Sequence, residues 1–161
     1  MLHHSSKILE QVDLSQILQV YRSQDRCVVF TNGCFDILHR GHLELLAWAR
    51  RQGDVLIVAI NADESVRRLK GPSRPVNTQR DRANLLAGFI CVDYVTIFEE
   101  DTPANIVELI QPDVLVKGGD YKDVTKIVGY DTVVQRGGQV LTVPYLDGYS
   151  TTDILRKITS L

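Results

Sequence analysis

His39 and His42 stand three residues apart, separated by Arg40 and Gly41, just after the stretch Thr31-Asn32-Gly33-Cys34-Phe35-Asp36. If both open one helix, side chains at that spacing leave on the same face, and Gly41 places no side chain between the two imidazoles. Two rings converging on one phosphoryl group can donate hydrogen bonds to charge that develops during displacement at phosphorus. That is the main resource of enzymes of phosphoryl and nucleotidyl transfer. The helix start adds unpaired amides and the positive end of its dipole, and Gly33 permits a sharp turn or a close approach of backbone to an anion. His39 and His42 are therefore expected to be catalytic. Thr31, Asn32, Gly33, Cys34, Phe35, Asp36 and Gly41 are expected to border the phosphates of a nucleotide. A bare H-x-G-H also fits an ordinary strand, turn and helix with two surface histidines.

The elements around the pair agree with the chemistry. Cys27 to Phe30 read as a buried parallel strand, and the run from Gly41 to Arg51, with apolar Leu43, Leu45, Leu46, Ala47 and Ala49, reads as the helix after it. Strands are expected near 27–31, 54–60, 93–97, 113–117 and 139–143, and helices near 41–52, 79–89, 103–110, 124–136 and 150–158. Such alternation specifies an α/β fold, a doubly wound parallel sheet with helices on both faces, and the order most consistent with the histidine motif is a Rossmann-like five-stranded 3-2-1-4-5. Ligands then lie beyond the carboxyl ends of the strands, at the switch between strands one and four, where residues 31–42 and 117–121 face each other. Residues 7–22 read as a separate amphipathic helix. The expected division is an N-terminal helical extension, 1–24, and a catalytic domain, 25–161.

Three further groups can serve anions. Lys70, Arg74, Arg80 and Arg82 cluster around a Gly/Pro-rich loop; some of them, Arg74 included, are expected to bind the phosphates of substrate, whereas Arg80 fits a solvated face equally well. Lys117-Gly118-Gly119-Asp120 follows an apolar strand, so Lys117 can offset phosphate charge, Gly119 lets backbone approach a ring or sugar, and Asp120 can hold a hydroxyl. Ser150-Thr151-Thr152 precedes an amphipathic helix; one hydroxyl caps it, and three together with free amides suit a second phosphate cradle. Asp36 can orient a histidine or the turn. Cys34 sits in the phosphate turn, but its position suits any small side chain, and Cys27, Cys34 and Cys91 form no C-x-x-C pair and read as reduced thiols.

Gly33-Cys34-Phe35-Asp36-Ile37-Leu38-His39-Arg40-Gly41-His42 resembles the signature of the nucleotidyltransferase superfamily. Arg74-Pro75-Val76-Asn77, Leu115-Val116-Lys117-Gly118-Gly119-Asp120-Tyr121 and Gly148-Tyr149-Ser150-Thr151-Thr152 resemble one branch of it, the heptose 1-phosphate adenylyltransferases. The matches run from about Val28 to the C-terminus. The resemblance implies transfer of the adenylyl group of ATP to D-glycero-D-manno-heptose 1-phosphate with Mg²⁺ held mainly by the nucleotide and water, for lipopolysaccharide or surface-glycan synthesis. It also implies a homodimer and a stand-alone enzyme rather than a fusion with a sugar kinase. Lys70 and Arg82 match a loop lysine and a helix-opening arginine of cytidylyltransferase relatives, so the resemblance implies that Lys70 is catalytic and that Arg82 binds substrate, and Ser150 to Thr152 match the motif that receives the outer phosphates. Glycerol-3-phosphate cytidylyltransferase is the alternative; the Arg-Thr-Glu typical of that group is here Tyr145-Leu146-Asp147. A nucleotide-binding module without turnover is a third reading, and the retained histidine pair argues against it.

Composition bounds these readings. The 161 residues are 44% hydrophobic and 24% charged with a net charge of −2, enough chain to bury about 70% of its unfolded surface. Neither that charge nor any basic, aromatic-interleaved stripe favours nucleic acid. No apolar run approaches the roughly 20 residues of a membrane span, and the expected location is cytoplasmic.

Overall fold

A computed structural model describes residues 6–160; Met1 to Ser5 of the expected N-terminal extension, and Leu161, lie outside the described residues. Five apolar runs form one parallel sheet: β1 (Val28–Gly33), β2 (Val55–Asn61), β3 (Tyr94–Phe98), β4 (Val114–Gly118) and β5 (Gln139–Val143), in the order β3-β2-β1-β4-β5. The register sets Phe30 opposite both Ile57 and Leu115. Every residue of β2 is buried, as expected of a strand covered on both faces. Alternate residues of β1 feed two cores. Val28 and Phe30 pack with Leu14, Leu18, Ile106 and Ile110, whereas Val29 packs on the other face with Leu46, Ala49, Ala83 and Leu86. Helices α1 (Gln11–Ser23), α5 (Ala104–Ile110) and α6 (Tyr130–Val134) therefore cover the first face, and α2 (Arg40–Arg50) and α4 (Gln79–Ala87) the second.

Aspartates pin the amino ends of the strands. Asp54, Asp93 and Asp113 immediately precede β2, β3 and β4, and their carboxylates accept from Cys27 N, Leu56 N and Val28 N, each at 2.7 Å. Amides that start a strand beside a buried core need such partners. With the amino edge secured in this way, the carboxyl edge is left for function.

Three elements differ from expectation. A helix not anticipated in the sequence, α3 (Asp63–Lys70), buries only Ser65 and Val66, so it lacks the apolar period that marks longer helices. Its charges suit a helix nonetheless, with Asp63 and Glu64 in the first turn and Arg67, Arg68 and Lys70 in the last. The single helix expected over 124–136 is a 3₁₀ turn (Val124–Lys126) followed by α6, because Gly129 intervenes with φ of 95°. At the N-terminus the helix starts at Gln11 rather than residue 7. The preceding residues run beside β3, an edge strand with unpaired groups, and Leu9 N donates to Val95 O at 2.9 Å. Helix α7 (Thr151–Thr159) closes the chain and has no fully buried residue. Among the described residues no helix is long and apolar enough to cross a membrane.

Candidate active site

The histidine pair is built by the start of α2. His39 is the N-cap, in extended conformation, and its Nδ1 accepts from Gly41 N at 3.1 Å; His42, in the first turn, returns the contact by accepting from His39 N through its own Nδ1 at 3.3 Å. A backbone N–H can only donate, so both Nδ1 atoms are unprotonated acceptors and each neutral ring carries its proton on Nε2. The rings stack with centroids 3.9 Å apart and planes 29° from parallel. Phe35, held at φ of 48°, backs His42 with its ring 5.2 Å away. Burial, with His39 beside it, pushes the His42 imidazole down to about 4, and burial lowers His39 as well. The pair is thus two neutral Nε2–H donors. Gly41 is required here because a Cβ on it would stand 3.0 Å from the His39 ring.

Those rings border a cleft of about 850 Å³ at the carboxyl edge of the sheet, within the size range of small-molecule sites. On one side lie Lys117, Tyr121, Tyr145 and Ser150 to Thr152; on the other lie Asn61, Lys70 and Arg74. The β1 turn, from Asn32 to Asp36, runs between them. Lys117 Nζ donates to Asn32 Oδ1 at 2.9 Å and Asn32 O at 3.3 Å, which ties β4 to β1 across the switch point. Burial lowers the Lys117 ammonium to about 8. Ser150 caps α7 by accepting from Asp153 N at 3.0 Å, and Thr151 Oγ1 donates to Ile37 O at 3.4 Å. A second helix N-terminus therefore faces the first. Arg40 lies 5.8 Å from the Tyr149 ring, a cation–π contact at the rim.

Several expected site residues have other duties. Arg82 does not border the cleft: its side chain is 0% exposed and donates to Asp63 Oδ1 at 2.7 Å, Cys34 O at 2.7 Å and Asn77 O at 3.1 Å. It braces the β1 turn from behind. Asp36 is buried and takes the Arg74 guanidinium at 2.5 Å together with Val76 N and Asn77 N. Burial alone would raise this carboxyl, but the two amides and Arg74 outweigh it and hold it below the ordinary aspartate value. The Gly/Pro-rich loop is in this way strapped to the turn. Thr31 is buried, does not border the cleft, and its Oγ1 has no hydrogen-bond partner among the described residues. Gly119, at φ of 134°, lies beneath Tyr145, while Asp120 and Arg80 are exposed and away from the cleft. Cys34 borders the cleft as a thiol, its pKa raised by burial. Among the described residues no group of three His, Cys, Asp or Glu is arranged to hold a metal.

Sequence reasoning did not select Asn61, Tyr121, Tyr145 or Tyr149. Asn61 had a usable signal, since it ends a strand and ligands collect at carboxyl ends. The tyrosines belong to loops whose direction no periodicity fixes.

Comparison with known proteins supplies the context for this geometry. The profile described as cytidylyltransferase-like matches residues 30–157. Curated relatives include the bifunctional protein HldE of Syntrophotalea carbinolica, 49% identical over 98% of this chain and 32% of that protein, and that of Trichlorobacter lovleyi, 50% identical over 95% and 31%. The chain thus spans about a third of the length of these relatives. A solved lipopolysaccharide core biosynthesis protein from Thermoplasma volcanium superposes with a TM-score of 0.65 and 26% identity, covering 76% of this chain and 99% of that one. A pantothenate synthetase from Thermus thermophilus, at 21% identity and a TM-score of 0.58 over 87% of this chain and 62% of that one, shares the fold.

Proposed function

The chain belongs to the cytidylyltransferase-like family and is a nucleotidyltransferase, and from that premise we propose that it transfers the adenylyl group of ATP to D-glycero-D-manno-heptose 1-phosphate, releasing pyrophosphate and ADP-heptose. The observation that carries the chemistry is the stacked His39–His42 pair with both Nδ1 atoms occupied by backbone amides. The choice of substrate is supported by the likeness to the HldE proteins and by the Arg74-Pro75-Val76-Asn77 and Lys117-Gly118-Gly119-Asp120 segments.

In the proposed reaction an oxygen of the sugar phosphate attacks the α-phosphorus of ATP in line, the α–β bridging bond breaks, and pyrophosphate departs with the electron pair. A phosphate monoester has a second pKa near 6, so the nucleophile is already mostly ionised at neutral pH and needs no general base. What remains is to hold two anions together and to stabilise charge on the α-phosphoryl oxygens. The two Nε2–H groups of His39 and His42 would donate there. Lys117 and the amides of Ser150 to Thr152 would take the nucleotide phosphates on the β4 side, and Lys70 and Arg74 would draw in the acceptor on the β2 side. ATP would arrive as its magnesium complex, the cation neutralising phosphate charge while held mainly by the nucleotide and water. A homodimer and a cytoplasmic location belong to this proposal on resemblance alone.

The test is pyrophosphate release with ATP or CTP, each paired with heptose 1-phosphate or glycerol 3-phosphate. ATP with heptose 1-phosphate should exceed every other pair by at least about a hundredfold; CTP with glycerol 3-phosphate winning would transfer the assignment to the cytidylyl alternative. Two variants probe the parts. Lys117→Met should raise the KM for ATP about tenfold, the loss of one charge-assisted contact, with the KM for the sugar phosphate unchanged. Gly41→Ala, by pressing on the His39 ring, should lower kcat about tenfold while circular dichroism stays that of the parent.

A further inference from the structure

The side chain of Asn61 is an acceptor in a cleft furnished with donors. It ends β2, is 4% exposed, and borders the cleft on the side of Lys70 and Arg74. Its orientation follows from its neighbours. Glu100 O is a carbonyl and can only accept, so Ser65 Oγ spends its single proton on it at 2.9 Å. Ser65 must then accept from Asn61 at 3.0 Å, which assigns that contact to Nδ2. Oδ1 consequently faces the β1 turn, where it meets the Cys34 thiol at 3.8 Å, a long contact to a weak donor.

Around it the cleft presents positive charge and N–H groups: His39, His42, Lys70, Arg74 and Lys117. Of the four aspartates bordering the cleft, Asp36 is filled by Arg74, Val76 and Asn77, Asp101 is paired with Arg68, Asp153 holds Ser150 and Arg156, and Asp147 belongs to the loop after β5, on the far side from Asn61. A phosphate oxygen cannot use Oδ1, since acceptor would meet acceptor. A substrate O–H can. We propose that Asn61 reads a hydroxyl of the acceptor sugar, making it a specificity-determining residue for polyol phosphates over simple phosphate esters. The sheet order supports the side: β2 lies across β1 from β4 and β5, where Lys117 and Ser150 to Thr152 stand. The competing O–H and N–H donors of the nucleotide, on ribose and adenine, would then be read elsewhere.

This inference rests on the adenylyl-transfer reading, and the experiment separates their failures. Initial rates are measured for the full chain, Asn61→Leu and Ser65→Ala, with ATP and either heptose 1-phosphate or methyl phosphate, which has the same phosphate without hydroxyls. Asn61→Leu is near-isosteric and should raise the KM for heptose 1-phosphate about tenfold, leave the KM for ATP within about twofold, and leave the rate with methyl phosphate unchanged. Ser65→Ala, which frees the amide to turn over, should move the same constant in the same direction by a smaller factor. A rise in the ATP constant instead, or an equal loss with both acceptors, overturns the assignment of Asn61 while leaving adenylyl transfer intact. Wild-type enzyme that releases no pyrophosphate with any sugar phosphate removes the functional reading and this inference with it.

Discussion

Alanine at position 42 should slow pyrophosphate release by about 10²–10³-fold, the loss typical of one preorganised donor to a developing oxyanion. The expectation follows from the reciprocal cap at the start of α2, which leaves His42 with a single free hydrogen-bonding group, its Nε2–H. His39→Ala should cost a comparable factor in rate plus about 1 kcal/mol of stability, because His39 is also the N-cap. The double variant should be little worse than either single one, since each ring fixes the other and their effects cannot multiply. Retention of more than about a tenth of wild-type kcat in His42→Ala would remove the ring from the chemistry.

The protonation state of His42 gives an independent check. Its pKa is pushed down to about 4 by burial and by its neighbour, whereas the unfolded value is about 6.5. The folded protein therefore binds fewer protons than the unfolded chain between those limits. Stability from this group is complete above about pH 6.5 and declines as the pH falls toward 4. An imidazole titration followed by NMR should find a midpoint near 4 in the free protein; a midpoint near 6.5 would mean a ring that is not desolvated. A kinetic limb near pH 6 would belong to the acceptor phosphate, whose second ionisation lies there, and not to the histidine.

The parts of the molecule that were legible in the sequence are those governed by local period or by turn chemistry. The five strands follow from apolar runs, their order from the histidine motif, and the start of the last helix from its Ser-Thr-Thr cap, and all match the structure closely, while α2 begins at Arg40 with His39 as its cap rather than in its first turn. The placement of Arg82 behind the turn is a different matter. Its match to a helix-opening arginine of cytidylyltransferase relatives suggests a ligand contact, but its partners Asp63 and Cys34 come from distant points of the chain, and no local pattern announces that they close around a guanidinium. Helix α3 escaped because its order comes from end charges and two buried residues rather than from an apolar stripe. Asn61 escaped because its significance lies in which way an amide is turned, a fact set by Ser65 and the Glu100 carbonyl. Local period and motif carry the architecture, while the identity of free donors and acceptors emerges only once long-range hydrogen bonds have claimed the others.

Asp36→Asn should destabilise the protein by about 3–5 kcal/mol at neutral pH, the cost of breaking a buried ion pair from one side and a large part of a typical total of about 5–15 kcal/mol. The carboxylate accepts from Arg74 and from the amides of Val76 and Asn77, while Asn77 Nδ2 donates to Asp36 O at 2.6 Å. An amide in its place keeps the shape but loses the charge, leaves Arg74 uncompensated, and turns an NH₂ toward groups that can only donate. The pH dependence has a definite sign. Because the folded carboxyl titrates below its unfolded value, its contribution is fully present above about pH 4 and is lost as the pH falls through the lower, folded value. Urea midpoints measured at pH 7 and through pH 4 to 2 should show the wild type losing stability down that limb and Asp36→Asn, already destabilised, losing less. Because the same contacts strap the Arg74 loop to the β1 turn, sugar-phosphate affinity should fall with stability. Equal midpoints for the two proteins at pH 7 would show that the strap does not hold the turn, and the accounting of Arg74 as a residue anchored through Asp36 would fail with it.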